Sequence, residues 1–414
     1  MKTLAALVMV LCGLAIASHA QLPLGTVSAV TQATCPTEPV NYGWVSAKNN
    51  GPPVAICYTA TVSCPNMPDL GITYGVATPT TASNGTVVFV SPKGGTQPVG
   101  GNLNRNMPYE IYHANYQTVQ MAWNSDWRNG ATGEGYFKAA ACREATIMNY
   151  FNTTYYQPSN KTATAGSCAV GFSGGAAGLG YTLTYYGAAS YLDKATFVAG
   201  PHYSNLVDGC VPSAPPVTIC PGSNGNYPMG CNTLSGSWTE AGQYTGGAAN
   251  QLGQEIGDKP GCNIKSHNYT AKDEANLTAD SIVDGASDSS FSYPQTAVSA
   301  YNCDDDQTWG NPSETQGWLW FAQITTPAQV AGGCNYPNTL DPSACLQFNR
   351  VYGCKSLEAA YSGYVCVGNT CPVCTGNPPT SCTCNGVACA GAYTEPDALT
   401  AEFEDPVIGC IKRH

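Results

Sequence analysis

The sequence feature that most constrains the fold is a serine enclosed by glycines, Gly171-Phe-Ser-Gly-Gly175. This Gly-x-Ser-x-Gly pattern fits a sharp turn from a β-strand into a helix, where neighbours two residues away must lack side chains. The preceding residues 166–170 form a short, partly apolar run, and the following residues 176–180 are mostly small, so that a helix can lie close to the strand. A Gly/Ser turn without special meaning is the alternative in a chain with 45 glycines, so the flanking elements must decide.

The segments around this stretch alternate between strand-like and helix-like patterns. Residues 136–150 have helical spacing, and the helix after Ser173 is predicted to end near Tyr186 with Gly187 as its stop. Strands that alternate with helices predict an α/β fold with a mainly parallel central sheet flanked by helices. The other predicted strands are 56–64, 70–76, 86–91, 117–123, 195–200, 296–301 and 345–352; helices are predicted at 313–322 and 395–414, and residues 21–50 are predicted to be a loop.

Two cysteine-containing segments interrupt the alternation. Residues 201–294 are rich in Gly and Pro with little periodicity, and residues 353–392 have a high density of cysteine. The regular spacing of the remaining apolar runs indicates one elaborated domain rather than two. We therefore expect a single domain over residues 21–414, with a lid-like insertion at about 201–294 and a cysteine-rich insertion at about 353–392.

The first 20 residues have the pattern of a secretory signal peptide. Lys2 precedes an apolar run over residues 4–16, and small residues lead to Ala20. This segment is too short to be a spanning anchor, so cleavage near Ala20 would give a secreted protein, extracellular or periplasmic, without a membrane anchor. Loss of Cys12 with the leader leaves 20 of the 21 cysteines, an even number that predicts disulfides in an oxidising compartment.

The amino-acid composition argues against two classes of binding partner. Charged residues make up 10% of the chain and the formal net charge is −11, which argues against nucleic acid or an anionic membrane as a partner. A zinc site between Cys371 and Cys389 is the alternative to disulfides there, and disulfides are favoured because exported thiols oxidise. No metal or organic cofactor is expected, and the sequence does not define the oligomeric state.

The order of these elements resembles that of secreted α/β hydrolases. In this family the chain order is nucleophile, acid, then histidine, so the resemblance implies that Ser173 is the nucleophile. Three consecutive aspartates, Asp304 to Asp306, follow the 296–301 strand and match the family's acid loop. Asp305 is assigned as the acid from its spacing beyond Tyr301. The alternative is that these aspartates form a solvated turn or a calcium-binding loop. The loop after the 86–91 strand matches the oxyanion loop, so the N–H of Gly94 or Gly95 would serve with that of Gly174.

The histidine does not match the family pattern. The loop after the last strand, which starts at Tyr352, has no histidine. We assign His202 as the base because it follows the 195–200 strand directly, with His267 and His414 as alternatives. His113 precedes the 117–123 strand, on the wrong loop, and is predicted to be structural.

Two classes of function follow from the resemblance. The first is a serine hydrolase of the esterase type, acting on an ester or related acyl bond in a small molecule or a polymer. The second is a catalytically inactive protein of the same fold with an extracellular binding or structural role, as in a filament or surface layer, favoured by the missing histidine. A lysine in the histidine's place, Lys355, would act as a base only if desolvated.

Overall fold

The computed structural model describes residues 21–35, 55–90, 107–128, 136–156, 161–210, 270–283, 288–303, 313–321, 323–324 and 346–352, five short strands between 363 and 393, and Cys410. The predicted signal peptide lies outside these residues. The described chain is an α/β structure built on one 11-stranded sheet and a separate 3-stranded sheet.

The bounds of the elements agree closely with the sequence patterns in the central part of the chain. The helix predicted at 136–150 extends to Tyr155, and the helix after Ser173 ends at Tyr186, where Gly187 adopts a left-handed φ of 69°. The strands are β1 (Thr26–Ala33), β2 (Ile56–Ser63), β3 (Leu70–Ala77), β4 (Ser83–Val90), β5 (Gln117–Trp123), β6 (Lys161–Phe172), β7 (Lys194–Val198), β8 (Ala297–Cys303), β9 (Leu346–Tyr352), β10 (Gly363–Val365), β11 (Val373–Thr375), β12 (Ser381–Cys384), β13 (Val387–Ala388) and β14 (Ala392–Tyr393). The helices are α1 (Met107–His113), α2 (Tyr136–Tyr155), α3 (Gly174–Tyr186), α4 (Leu206–Cys210), α5 (Ala271–Asp280) and α6 (Ser313–Phe321).

The large sheet has the strand order β1-β2-β3-β5-β4-β6-β7-β8-β9-β10-β14. Its centre, from β5 to β9, is parallel, and the strands at both edges are antiparallel. Parallel strands place their carboxyl ends at one edge of the sheet, where ligands bind in open α/β folds. This architecture is α/β-hydrolase-like, as predicted.

One strand lies where a loop was predicted. Residues 26–33 form β1, which pairs with β2 and is mostly exposed. An edge strand without a buried face has no alternation of apolar and polar residues, so the period that identifies strands is missing.

Helices cover both faces of the central strands. On β6, Ala169 belongs to the core shared with α2 and α3, whereas Cys168, Val170 and Phe172 belong to the core that includes Ile111 of α1. Every residue of β6 from Ala165 onward is buried. Burial on both faces explains why this strand shows a nearly continuous rather than an alternating pattern.

The described flanks of the first insertion belong to the helical layer. The carboxylate of Asp280, at the end of α5, accepts hydrogen bonds of 3.0 Å from the backbone N–H groups of Phe137 and Lys138 at the start of α2. A carboxylate at a helix N-terminus is favoured by the orphan N–H groups and the helix dipole. The intervening residues 211–269 lie outside the described part of the chain, so the lid stays a prediction.

Disulfides cross-link distant parts of the fold. The pairs are Cys35–Cys57, Cys64–Cys142 and Cys168–Cys410, and Cys210 at the start of the first insertion is also disulfide-bonded. The second insertion adds β10 and β14 to the large sheet and forms the small sheet from β11 to β13. Over the described chain, no helix has the length and apolar character needed to cross a membrane.

Candidate active site

Ser173 is the single residue between the end of β6 and the start of α3. Its φ of 50° and ψ of −117° are unfavourable for a residue with a side chain. Two backbone hydrogen bonds hold it in place: its N–H donates to the carbonyl oxygen of Val198 at 2.9 Å, and its carbonyl oxygen accepts from the N–H of Ala177 at 3.1 Å. The Ser173 side chain therefore stands at a strained strand-to-helix turn, at the carboxyl edge of the parallel strands.

The glycine before the serine is required by close backbone approach. A methyl group on Gly171 would lie 2.7 Å from the carbonyl oxygen of Gly175 and 2.8 Å from the Cα of Ala176. Both contacts are with backbone, so no side-chain rotation could relieve them. The first turn of α3 thus folds directly onto the end of β6, and the N–H of Gly174 begins the helix beside Ser173.

The loop after β7 lies against this turn. Its Gly200 is close enough that a methyl group there would lie 2.8 Å from the Cβ of Ala176 and 3.6 Å from the carbonyl oxygen of Ser173. The Gly200–Pro201 peptide bond is cis, and Ala199 and Tyr203 have positive φ values of 52° and 65°. The loop is therefore tightly folded where it passes the serine.

His202 lies in this loop but in surroundings that oppose a positive charge. The residue is 4% exposed, and its Nδ1 has no hydrogen-bond partner. Burial, together with the nearby charge of Arg128, lowers the pKa of His202 to about 3. Within the described part of the chain no hydrogen bond joins it to Ser173. A general base must stabilise the imidazolium that it forms, and this site destabilises it.

An ion pair after β5 accounts for the charge near His202. The guanidinium of Arg128 donates to both carboxylate oxygens of Asp126, at 2.8 Å from Nε and 2.6 Å from Nη2, and also to the hydroxyl of Tyr203. The pair is only 6% and 18% exposed. It joins the loops after β5 and β7, and no local sequence pattern indicates this contact because Arg128 and Tyr203 are 75 positions apart.

A buried acid lies beside α3. The Oε1 of Glu144 accepts a 2.9 Å hydrogen bond from the indole N–H of Trp123, and its Oε2 has no partner. Burial raises the pKa of Glu144 to about 8, partly offset by that hydrogen bond. Gly178 makes room for this side chain, since a methyl group there would lie 2.8 Å from Cγ of Glu144. Glu144 is therefore protonated at neutral pH and serves as a neutral hydrogen-bonding group in the helical layer.

Of the remaining predicted site residues, Gly174 is the first residue of α3. The others lie outside the described residues, namely Asp305, Gly94, Gly95, His267 and His414. His113, which is predicted to be structural, ends α1, where its ring packs on Tyr109 and Tyr112 at centroid distances of 4.1 and 5.5 Å. Among the residues that the structure describes, no cluster of His, Cys, Asp or Glu could hold a metal ion.

The end of β8, which precedes the predicted acid loop in the sequence, lies at the same edge of the sheet. Tyr301 of β8 pairs with Val198 of β7, and the N–H of Ala199 donates to the carbonyl oxygen of Tyr301 at 2.8 Å. Val198 is also the hydrogen-bond acceptor of Ser173. β7 lies between β6, which leads into Ser173, and β8. β8 ends two residues before Asp305.

No family model matches the sequence, and no curated protein matches it. Among solved structures, the chain is similar to lipase A from Candida antarctica, at 13% identity and a TM-score of 0.37 over 75% of this chain and 78% of that one. It is also similar to feruloyl esterase B from Aspergillus oryzae, at 11% identity and a TM-score of 0.40 over 82% of this chain and 81% of that one. Acetyl xylan esterase 1 from Thermoanaerobacterium sp. JW/SL YS485 is similar at 11% identity and a TM-score of 0.38, over 73% of this chain and 80% of that one. The strand order and the parallel centre of the sheet carry the assignment of an α/β-hydrolase-like fold.

Proposed function

We propose that the protein is a secreted serine hydrolase of the esterase type, which cleaves an ester or related acyl bond through Ser173. The observation that carries this proposal is the backbone of Ser173, a non-glycine residue held at φ 50° and ψ −117° between β6 and α3. Backbone strain of this kind clusters at functional sites, and in a Gly-x-Ser-x-Gly turn it exposes the hydroxyl above the sheet. A glycine would occupy this turn at lower cost if the side chain had no use.

The proposed chemistry is acyl transfer in two steps. The Oγ of Ser173 attacks the carbonyl carbon while a histidine takes its proton, and the alcohol leaves with that proton. Water then attacks the acyl carbon while the same base accepts its proton, the bond from that carbon to the Oγ of Ser173 breaks, and the base returns the proton to Oγ as the carboxylic acid is released. The N–H of Gly174, with that of Gly94 or Gly95, would stabilise the oxyanion, and Asp305 would orient the histidine. This chemistry draws on protein groups alone.

The proposed base is one of three histidines. The sequence assigns His202, whose burial and the charge of Arg128 oppose protonation. His267 and His414 remain as alternatives. Three single variants, His202→Gln, His267→Gln and His414→Gln, separate them: loss of the base is expected to lower kcat by about 10⁶-fold, whereas a histidine outside the site leaves kcat nearly unchanged.

The compartment and substrate class belong to the proposal as well. The leader pattern of residues 1–20 and the disulfides support export, because disulfides persist in oxidising compartments. The expected substrates are esters of small molecules or of polymers. A panel of p-nitrophenyl esters of increasing acyl length, followed by feruloylated and acetylated polysaccharides, would define the acyl group and the alcohol.

The first experiment is labelling of the oxidised mature protein with a fluorophosphonate, beside Ser173→Ala and a heat-unfolded sample. The proposal expects labelling that is lost in both controls, because only a folded site activates the hydroxyl. Absence of labelling in a sample with native circular dichroism would reject the enzyme and favour the inactive binding or structural protein. Labelling that persists in Ser173→Ala would place the nucleophile elsewhere.

A further inference from the structure

The side chain of Asn302 holds both backbone polar groups of Gly200. Its Oδ1 accepts a 2.7 Å hydrogen bond from the N–H of Gly200, and its Nδ2 donates to the carbonyl oxygen of the same residue at 3.3 Å. The two residues are 102 positions apart, and Asn302 is fully buried. Because buried backbone groups are costly to leave unpaired, this pair fixes the loop after β7 to the end of β8.

The pair is closed on its outer side by α6. A methyl group on Gly317 would lie 2.7 Å from the carbonyl oxygen of Gly200 and 3.0 Å from Nδ2 of Asn302. Water therefore has no room to replace the amide on this side. On its inner side, Gly200 lies against Ala176 and the backbone of Ser173.

We propose that Asn302 is a positioning residue that holds the elbow serine through Gly200. The residue stands at the end of β8, three positions before Asp305, so one side chain ties the strand that leads into the predicted acid loop to the loop that lies against the serine. This inference rests on the proposed function for its catalytic consequence. Its structural part, the restraint of Ser173, is independent of that function.

The amide chemistry of Asn302 is specific to this role. An amide offers an acceptor and a donor at once, which is what the N–H and the carbonyl oxygen of a single residue, Gly200, require. Alanine provides neither, and leaves two buried backbone groups unpaired. Aspartate keeps the acceptor for the 2.7 Å bond and removes the donor amide.

The fold offers a matched control in the neighbouring helix. Gln316 of α6 makes the same pair of bonds to Asn205: its Oε1 accepts from the N–H at 2.7 Å, and its Nε2 donates to the carbonyl oxygen at 3.3 Å. Gln316 is also fully buried. Asn205 follows His202 in the same loop, and among the described residues no hydrogen bond joins this pair to Ser173. Gln316→Ala therefore removes an equivalent pair of bonds that involves neither Gly200 nor Ser173.

The first measurement is amide hydrogen exchange of the oxidised protein, read by mass spectrometry for the peptide that contains residues 172–177. In Asn302→Ala this peptide is expected to exchange about tenfold faster than in the parent, since two hydrogen bonds that restrain its neighbour are lost. In Gln316→Ala its exchange is expected to match the parent. Equal exchange of the elbow in Asn302→Ala and the parent, or an equal rise in both variants, would overturn the proposal.

The second measurement separates positioning from binding. With a fluorophosphonate, Asn302→Ala is expected to lower the maximal inactivation rate constant about tenfold and to change the half-saturating concentration less than twofold. A change confined to the half-saturating concentration would contradict a positioning role. If the parent itself is unlabelled, the proposed hydrolase fails, and the exchange result still decides whether Asn302 holds the elbow.

Asn302→Asp covers the case in which Asn302→Ala does not fold. It retains the oxygen that accepts from Gly200, so the fold keeps the shorter of the two bonds. Its elbow exchange is expected to be faster than in the parent and slower than in Asn302→Ala where both fold. Parent-like exchange in Asn302→Asp, when Asn302→Ala cannot be obtained, would overturn the proposal.

Discussion

The backbone N–H of Ser173 donates a 2.9 Å hydrogen bond to the carbonyl oxygen of Val198, so the elbow is attached to the neighbouring strand at the point where its own strand ends. The residue directly after that strand, Ala199, donates its N–H in turn to the carbonyl oxygen of Tyr301 of β8 at 2.8 Å. The strained turn is therefore supported by the sheet itself. The loop after β7, which Asn302 holds through Gly200, packs against this turn in addition.

The strain at Ser173 predicts an unusual order of stability among variants. Ser173→Gly and Ser173→Ala both remove the hydroxyl, but only glycine adopts φ 50° and ψ −117° without strain. We expect Ser173→Gly to be more stable than Ser173→Ala by about 1 kcal/mol, the relief of strain less the greater entropy of glycine in the unfolded chain. Urea unfolding of both variants measures the difference, and equal midpoints would show that the turn is unstrained.

The close approach at Gly171 predicts that even one methyl group damages the elbow. In Gly171→Ala the backbone of Gly175 and Ala176 must move, and we expect a loss of about 1–3 kcal/mol in the free energy of unfolding and at least a tenfold lower fluorophosphonate labelling rate. Thr164→Ala, at an exposed position of the same strand, is the control and should match the parent. Parent-like labelling in Gly171→Ala would contradict the assigned geometry.

Local features of this fold could be predicted from the sequence because local chemistry determines them. Gly171 lies in the turn before α3, where close backbone contacts exclude a side chain. Gly187 ends α3 with a left-handed φ that favours glycine. The helical spacing of residues 136–150 and the apolar strands β4 to β8 similarly reflect burial on known faces. The α/β architecture follows from the order of these elements.

Features made by contacts between distant segments could not be predicted. The charge that faces His202 belongs to Arg128, and the group that holds Gly200 belongs to Asn302, each contributed by another loop or strand. The position of His202 directly after a strand predicts at which edge of the sheet it lies. It does not predict how deeply the side chain is buried. Edge strand β1 was missed because exposure removes the pattern on which the prediction depends.

The disulfides predict a graded loss of stability. Cys168–Cys410 spans 242 residues and Cys35–Cys57 spans 22. From the entropy of loop closure, replacing the first pair by serine should cost about 5 kcal/mol and the second about 3 kcal/mol. Denaturant unfolding of the two double variants tests the order; a larger loss for Cys35–Cys57 would show that strain or residual structure outweighs loop length.

Lys161, at the start of β6, predicts a stability change at alkaline pH. Its Nζ donates to the Oγ of Ser83 and the Oε1 of Gln117, both at 3.1 Å, and burial lowers its pKa to about 8. The unfolded chain, with a lysine pKa near 10.5, binds more protons between these values, so this residue makes the free energy of unfolding rise from about pH 8 to about pH 10.5. Lys161→Met should remove that rise, whereas Lys272→Met, at an exposed site, should keep it.

Glu144 predicts the opposite trend at lower pH. Burial raises its pKa from 4.5 to about 8, so the folded protein holds a proton that the unfolded chain has lost between these values. The free energy of unfolding should therefore fall as pH rises from 4.5 to about 8, by roughly 4 kcal/mol from this group alone. Glu144→Gln keeps the oxygen that accepts from Trp123 and cannot ionise, so its stability should lack this fall. Urea unfolding at several pH values, with Glu274→Gln as the control, measures the slopes; equal slopes in Glu144→Gln and the parent would mean that Glu144 is ionised in the folded protein.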